Sequence, residues 1–101
     1  MILEVAVLDV IPGRETDFQA DFAQAQKLIS RMPGYVNHQL QRCLEKPSRY
    51  ILLVNWETLA DHTEGFRGSA EYETWKSLLH HYYDPFPEVE HYEAVPPASS
   101  T

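Results

Sequence analysis

The sequence has one cysteine, few basic residues and no long apolar run. Cys43 has no second thiol with which to form an internal disulfide, which is typical of a reducing compartment and predicts a cytoplasmic protein. Eight Lys and Arg side chains stand against fifteen Asp and Glu, so the formal net charge is −7. The chain therefore lacks the basic cluster that binding to nucleic acid or to an anionic membrane requires. No apolar stretch approaches the length of a membrane span.

The apolar run near the N-terminus is predicted to be a strand and not a secretion signal. Ile2–Val10 carries Glu4 and Asp9, and no positively charged region precedes it. Both of its alternating faces are largely apolar, which is typical of a central strand covered on both sides. With 101 residues the chain is expected to form one domain, residues 1–95, followed by a disordered tail at 96–101.

An amphipathic helix is predicted next, from Glu15 to Arg31. Acidic residues lie in its first turn and basic residues in its last, as the helix dipole favours. The segment Met32-Pro33-Gly34 ends it. Its apolar stripe recurs at steps of three and four and consists of Phe18, Phe22, Ala25, Ile29 and Met32.

Two strands joined by a short connection are predicted after this helix. In Tyr35–Leu44, His38 shares one face with Val36 and Leu40, whereas the other face is polar. Tyr50–Trp56 returns as a mostly apolar strand, which favours a central place in the sheet.

The second half is predicted to contain a helix that is interrupted by two glycines. Thr58 and Asp61 have the spacing of a capping box, and Ser69 is placed to cap a second helical segment after the break. Glu88–Val95 is the expected last strand. The resulting order, β-α-β-β-α-β, is that of the ferredoxin-like fold, an α+β class with a four-stranded antiparallel sheet and both helices on one face. The other face carries apolar side chains that a symmetric dimer would cover.

A series of short segments runs through the chain in an order and spacing characteristic of one protein family. The segments are Pro33-Gly34-Tyr35, Leu40-Gln41-Arg42, Trp56-Glu57, His62, Gly65-Phe66-Arg67-Gly68-Ser69, Tyr72, Trp75 and Val89-Glu90-His91-Tyr92. Together they resemble the antibiotic biosynthesis monooxygenase (ABM) domain of the dimeric α+β barrel superfamily. The match omits only the tail.

This resemblance implies a homodimeric α+β barrel with a small-molecule pocket between sheet and helices. Some relatives in the family oxidise polyketide phenols with molecular oxygen and no metal or flavin, and others degrade haem or act on quinols. The strand-end Trp of the polyketide-oxidising branch matches Trp56. The Asn, Trp and His of the haem-degrading branch fall on Ala6, Gly65 and Trp75, so the resemblance does not extend to that reaction. It implies an oxygenase without a cofactor.

Cofactor-free oxygenation needs a base, donors for a developing oxyanion and an apolar box around an electron-rich phenol, enol or quinol. His62 is the leading candidate base, because its spacing with Leu59 and Phe66 turns it inward and its unperturbed pKa is about 6.5. The alternative is a core histidine bonded to a backbone carbonyl. Trp56 and Tyr72 complete the predicted catalytic set, Tyr72 as an oxyanion donor or as an ordinary buried hydroxyl.

Five further residues are predicted to bind the substrate. Trp75 and Trp56 can sandwich a planar ligand or simply fill the core. Arg67, between two glycines, can bind an acidic group or form a surface salt bridge. His38 can line the pocket or the dimer surface. The predicted substrate-binding set is His38, Asn55, Phe66, Arg67 and Trp75.

No metal site is predicted. His80 and His81 are adjacent on a helix and diverge, and neither an HxxxH motif nor a Cys pair accompanies them.

The sequence therefore favours a cofactor-independent monooxygenase that acts on a small aromatic, phenolic or quinol-like molecule. Two alternatives stay open. One is a non-catalytic small-molecule-binding or stress-response homodimer with the same pocket, and the other is a structural assembly module with a filled interior.

Overall fold

The computed structural model describes residues 1–96 and contains the predicted order of elements. The strands are β1 (Ile2–Asp9), β2 (Tyr35–Arg42), β3 (Arg49–Trp56) and β4 (Val89–Tyr92). They pair antiparallel in the order β2-β3-β1-β4. The ferredoxin-like fold is thus confirmed. Residues 97–101 of the predicted tail lie outside the described residues.

The helices α1 (Glu15–Ile29) and α2 (Ala70–Leu79) pack on one face of this sheet. Helix α1 buries its predicted stripe but ends at Ile29, two residues before the predicted end. The N–H groups of Arg31 and Met32 bond to carbonyls three residues back, which tightens the last turn ahead of Pro33.

The two central strands are β1 and β3, as their apolar composition predicts. Every second residue of each faces the helices and is buried, so the two strands supply the floor of the core. These residues are Glu4, Ala6, Leu8, Tyr50, Leu52, Val54 and Trp56.

A bulge in β2 corrects the predicted faces of that strand. The register with β3 shifts between Tyr35 and Asn37, which adds one residue to the alternation. Tyr35 pairs with Trp56 and therefore lies on the helix side together with His38, the place that the sequence pattern assigned to Val36. The Tyr35 hydroxyl bonds to His38 Nδ1, and Val36 is exposed.

Both predicted helix caps in the second half are confirmed. The Thr58 N–H donates to Asp61 Oδ2 at 3.1 Å, and the Asp61 N–H donates to Thr58 Oγ1 at 3.2 Å. The segment between the caps is a π-helical turn, Asp61–Phe66, in which the Arg67 N–H reaches back to the His62 carbonyl. Ser69 Oγ accepts the Tyr72 N–H and starts α2.

The sheet face opposite the helices is apolar at its centre. Side chains of β1 and β3 alternate onto it, and Val7 there is 39% exposed. These central residues are Leu3, Val5, Val7, Ile51 and Leu53. Across residues 1–96, no helix is long and apolar enough to span a membrane.

Two glycines with positive φ give a matched test of the contact between strand β2 and the π-helical turn. Gly34 has φ +82°, and a Cβ there would lie 2.1 Å from the Asp61 Cγ; Gly13 has φ +93° and open space around it. We expect Gly13→Ala to lower the free energy of unfolding by about 1 kcal/mol through backbone strain alone. Gly34→Ala adds displacement of the Asp61 cap and should cost roughly 2 kcal/mol or more.

Urea denaturation of the two variants measures this difference. Equal losses would show that the Gly34–Asp61 approach does not constrain the fold. An Asp61→Gly change made on top of Gly34→Ala should recover part of the loss, because it removes the clashing side chain.

Candidate active site

A cavity of about 310 Å³ lies between the helix side of the sheet and the second half of the chain. Its volume is that of a site for one small ligand. The apolar wall includes Ala6, Leu8, Leu52, Phe66, Trp75 and Val89. The polar side chains in the wall are Glu4, His62, Arg67, Tyr72, His80 and Tyr83.

Glu4 is a buried carboxyl group in the floor of this cavity. It occupies the helix side of β1, between buried aliphatic positions, and is only 5% exposed. The indole Nε1–H of Trp56 donates to Glu4 Oε1 at 2.9 Å, and His62 Nε2 lies 3.3 Å from the same oxygen. One oxygen of the carboxyl group is therefore held from two sides.

The second oxygen of Glu4 is free. Oε2 makes no hydrogen bond to any described residue, whereas every fully buried side-chain nitrogen or oxygen in the described part has a partner. Oε2 must therefore reach the open space of the cavity, which Glu4 lines. Oε1 of the carboxyl group is therefore held by its neighbours, whereas Oε2 can accept a hydrogen bond from a ligand.

His62 is turned inward by the π-helical turn and is 3% exposed. Its ring stacks on Trp56, with 5.5 Å between ring centroids and 22° between planes. Its Nδ1 lies 2.8 Å from Nε2 of His91, which the register of β4 places opposite Glu4. Both ring nitrogens of His62 thus have protein partners, Glu4 on one side and His91 on the other.

Burial sets the charge of this group of side chains. It lowers the pKa of His62 from 6.5 to about 3, with Arg67 and His91 acting in the same direction. It also lowers the pKa of His91, again with help from Arg67. Both imidazoles are therefore neutral at neutral pH, and the contact between His62 and Glu4 is not an ion pair.

Several effects act on the pKa of Glu4 in opposite directions. Burial raises its pKa most, while the hydrogen bond from Trp56 and the charge of Arg67 lower it. When Glu4 is ionised, His62 carries its proton on Nε2, facing the carboxylate, and Nδ1 accepts from His91 Nε2–H. Within residues 1–96, no group of three or more His, Cys, Asp or Glu side chains is placed to hold a metal ion.

Two further polar groups line the cavity. Burial, and to a smaller extent Lys76, lowers the pKa of His80, whose ring touches Tyr72 and Tyr83 but has no hydrogen bond among the described residues. Burial raises the pKa of Tyr83, so its hydroxyl remains a proton donor at neutral pH.

The structure brings five of the eight predicted site residues together around the cavity. They are His62, Phe66, Arg67, Tyr72 and Trp75. Trp56 lies behind Glu4 and does not line the cavity. His38 lines a separate open groove beside α1, where its Nε2 is 3.1 Å from Gln26 Oε1. Asn55 lies on the opposite face of the sheet, and its amide donates to Asn37 Oδ1.

The sequence interpretation missed Glu4, which the cavity makes central. The signal was present, because Glu4 shares the alternating face of Ala6 and Leu8 and is the one charged residue on that face. Its connection to His91 depends on pairing between the first and last strands, which the local sequence does not encode.

The chain is similar to known proteins in sequence and in structure. A family model described as antibiotic biosynthesis monooxygenase matches residues 1–78. The uncharacterized protein YczJ of Bacillus subtilis (strain 168) is 54% identical over 95 residues, which cover 94% of this chain and 100% of YczJ.

Solved structures with this fold include two that are informative. A protein from Bordetella bronchiseptica that bears the name antibiotic biosynthesis monooxygenase is 41% identical, with a TM-score of 0.88 over 93% of this chain and 96% of its own. SnoaB from Streptomyces nogalater, a cofactor-independent oxygenase, is 22% identical, with a TM-score of 0.77 over 95% and 96%. At that identity the likeness to SnoaB shows the fold alone.

The depressed pKa of His62 predicts how acid destabilises the fold. Below pH 6.5 the unfolded chain takes a proton on His62, whereas the folded protein holds the ring neutral to about pH 3. The free energy of unfolding should therefore fall from pH 6.5 to 3, by up to about 1.4 kcal/mol per pH unit from this group. Glu4 acts in the opposite sense above pH 4.5, because its pKa is raised. The His62 contribution is thus unopposed by Glu4 between pH 4.5 and 3.

Chemical denaturation of wild type and His62→Gln across this range isolates the effect. The difference in unfolding free energy between them should shrink as the pH falls from 6.5 to 3 and stay constant above 6.5. His81→Gln, on the exposed surface, is the matched control and should follow wild type. A pH-independent difference for His62→Gln would mean that the ring is not held neutral.

Proposed function

The chain belongs to the antibiotic biosynthesis monooxygenase family, and we propose that it is a cofactor-independent monooxygenase for a small aromatic, phenolic or quinol-like molecule. The observation that carries this is the combination, in one cavity of about 310 Å³, of aromatic walls with a buried acid–base pair, Glu4 and His62. Phe66 and Trp75 offer apolar faces to a planar ring. The lone cysteine favours the cytoplasm as its location.

The reaction of an anthrone-like substrate balances without a further oxidant or reductant. A base takes a proton from the CH2 carbon, and the carbanion gives one electron to O2. The radical pair combines into a peroxide anion, which takes the proton back. Loss of water, with the second hydrogen of the same carbon, leaves a C=O group. One oxygen atom enters the product and the other leaves as water.

Arg67 provides the positive charge that this sequence of anions needs. Of the described residues that line the cavity, it is the single Lys or Arg. Its charge already acts on Glu4, His62 and His91, lowering the pKa of each. It is therefore placed to stabilise a substrate anion or the peroxide. Tyr72 and Tyr83 add hydroxyl groups to the same wall.

Oxygen uptake with anthrone-like phenols tests this function. We expect one O2 consumed per product molecule, and no product under anaerobic conditions. Arg67→Gln should lower kcat by roughly 10²-fold, because the anion loses its nearby cation. Arg31→Gln, an exposed arginine at the end of α1, should keep the wild-type rate.

Oxygen uptake that never exceeds the blank, with a tight ligand recovered unchanged from the purified protein, would instead support a non-catalytic binding protein.

We also propose that the protein is a homodimer whose two subunits face each other through their open sheets. The apolar centre of that face, around Val5, Val7 and Leu53, would be left to water in a single chain. Covering it by a second copy buries the same patch on both sides, which is the arrangement of a two-fold interface.

A matched pair of lysine substitutions tests the dimer. Val7→Lys places a charge on the open sheet face and should shift sedimentation from a dimer to a monomer. Leu59→Lys changes a residue that is 47% exposed next to the π-helical turn, on the other side of the sheet, and should leave the dimer intact. Monomeric wild-type protein, or a dimer in both variants, would contradict the proposed interface.

A further inference from the structure

We infer that Glu4 is the catalytic base of the proposed reaction, and that His62 is a positioning residue that acts through Glu4. This inference rests on the proposed function and deepens it. The sequence alone favours His62 as the base, since histidine is the usual choice near neutral pH. The arrangement of atoms in the cavity assigns the two residues different tasks.

Glu4 and His62 differ in which lone pairs are available. His62 Nδ1 lies 2.8 Å from His91 Nε2, and His62 Nε2 lies 3.3 Å from Glu4 Oε1, so a substrate would have to displace a neighbouring group to reach either nitrogen. Glu4 Oε1 accepts the N–H of Trp56, whereas Oε2 has no hydrogen-bond partner among residues 1–96, and Glu4 lines the cavity. A base must come within hydrogen-bond reach of the proton that it removes. In Glu4 the atom that can do so is Oε2, which no neighbouring group has to leave before a substrate can approach.

Glu4 is also held more rigidly than the other candidate bases. The Glu4 carboxyl group is fixed from behind by the indole of Trp56 and by the imidazole of His62, which are themselves stacked. A carboxylate that is held in one orientation loses no rotational freedom when a substrate binds. His80 also lines the cavity, but no hydrogen bond to a described residue orients its ring. Glu4 is therefore the better-organised acceptor.

The charges around Glu4 also suit a base. The charged or titratable groups that face Glu4 are His91 from β4, and His62 and Arg67 from the π-helical turn and the residue after it. His80 and Tyr83 face the cavity from beyond α2. With the imidazoles neutral, Arg67 is the one charge that favours the carboxylate, and burial opposes it. A carboxylate with a raised pKa is a stronger base than one in water.

The proton in this scheme stays within the site. Glu4 Oε2 takes it from the substrate carbon, becomes a carboxylic acid, and returns it to the peroxide anion. No proton has to leave through His62 or His91. The role of His62 is to face Oε1 with its Nε2, and the role of His91 is to hold the His62 ring through Nδ1, so that the carboxylate is ready for the next turnover.

Steady-state kinetics of three variants separate the roles. Glu4→Gln keeps the shape of the side chain and should lower kcat by about 10²- to 10⁴-fold, the usual contribution of a general base. His62→Gln retains an N–H that can face Glu4, so we expect a loss within about tenfold. The reverse pattern, with the large loss in His62→Gln or in His80→Gln, would overturn the assignment. His81→Gln is the surface control.

The pH profile of kcat/KM distinguishes a base from a residue that only supports the structure, because only loss of the base removes a step from the profile. In wild type the rate should rise with pH through the titration of Glu4. Because Arg67 lowers the pKa of Glu4, Arg67→Gln should shift this rise to higher pH. The rise should persist in His62→Gln and be absent from the residual rate of Glu4→Gln. A rise that survives in Glu4→Gln would assign the base to another group.

A binding experiment without oxygen tests whether Glu4 accepts a proton from a bound phenol, independently of turnover. Under anaerobic conditions and in weak buffer, 4-nitrophenol is titrated with wild type and with Glu4→Gln. Wild type should bind the indicator as its yellow phenolate and release no proton, because Glu4 keeps it. Glu4→Gln should either bind the neutral phenol or release a proton to the buffer.

Identical behaviour of the two proteins, or failure of wild type to bind the indicator, would overturn the role of Glu4. Retention of the proton in wild type together with a blank oxygen-uptake assay would instead leave Glu4 as the proton acceptor and reject the oxygenase function.

Discussion

One buried carboxyl group, that of Glu4, lies where three elements of the fold meet. Removing Glu4 from water is costly unless hydrogen bonds replace the solvent. The Trp56 indole on β3 donates a hydrogen bond to Glu4. His62 on the π-helical turn lies 3.3 Å from the same oxygen, and His91 on β4 lies against His62. Each of these partners is buried or half-buried as a consequence. Strand β3 and the π-helical turn thus meet at one oxygen atom, Glu4 Oε1.

The π-helical turn is in turn held by contacts outside the site. Its first residue, Asp61, caps the turn through Thr58 and packs directly against the backbone of Gly34. The Gly34 carbonyl also accepts the N–H of Glu57, which follows β3. The loop before β2 therefore sets the position of His62 although it does not touch the cavity. Contacts at Gly34, outside the cavity, thus help to fix the orientation of His62 inside it.

The sequence predicts the fold well because its signals are local. Helix stripes, caps and apolar strands all depend on neighbouring residues, and each element is present in the predicted order. The ends are less accurate: α1 stops at Ile29 and not Arg31, and the last strand is Val89–Tyr92 and not Glu88–Val95. His62 and Phe66 were recognised because their spacing turns both inward. Asn55 and Trp56 are adjacent in β3, and adjacent strand residues point to opposite faces of the sheet, so the two side chains lie on different sides. The sequence does not predict Glu4 as a site residue, because its partners Trp56 and His62 lie about fifty or more residues away along the chain. The bulge at Tyr35 likewise has no local sequence signature.

The site divides into a half held by the sheet and a half formed by loop residues. Glu4 and Trp56 lie on strands of the sheet, where a shift of either would leave a buried polar atom without its partner. The opposite rim is formed by Tyr83, Phe86 and Pro87, which lie outside helices and the four strands. Loop residues of this kind change more freely during evolution than a hydrogen-bonded core. Substitutions of these loop residues can therefore alter which molecules enter the cavity without removing a partner of Glu4.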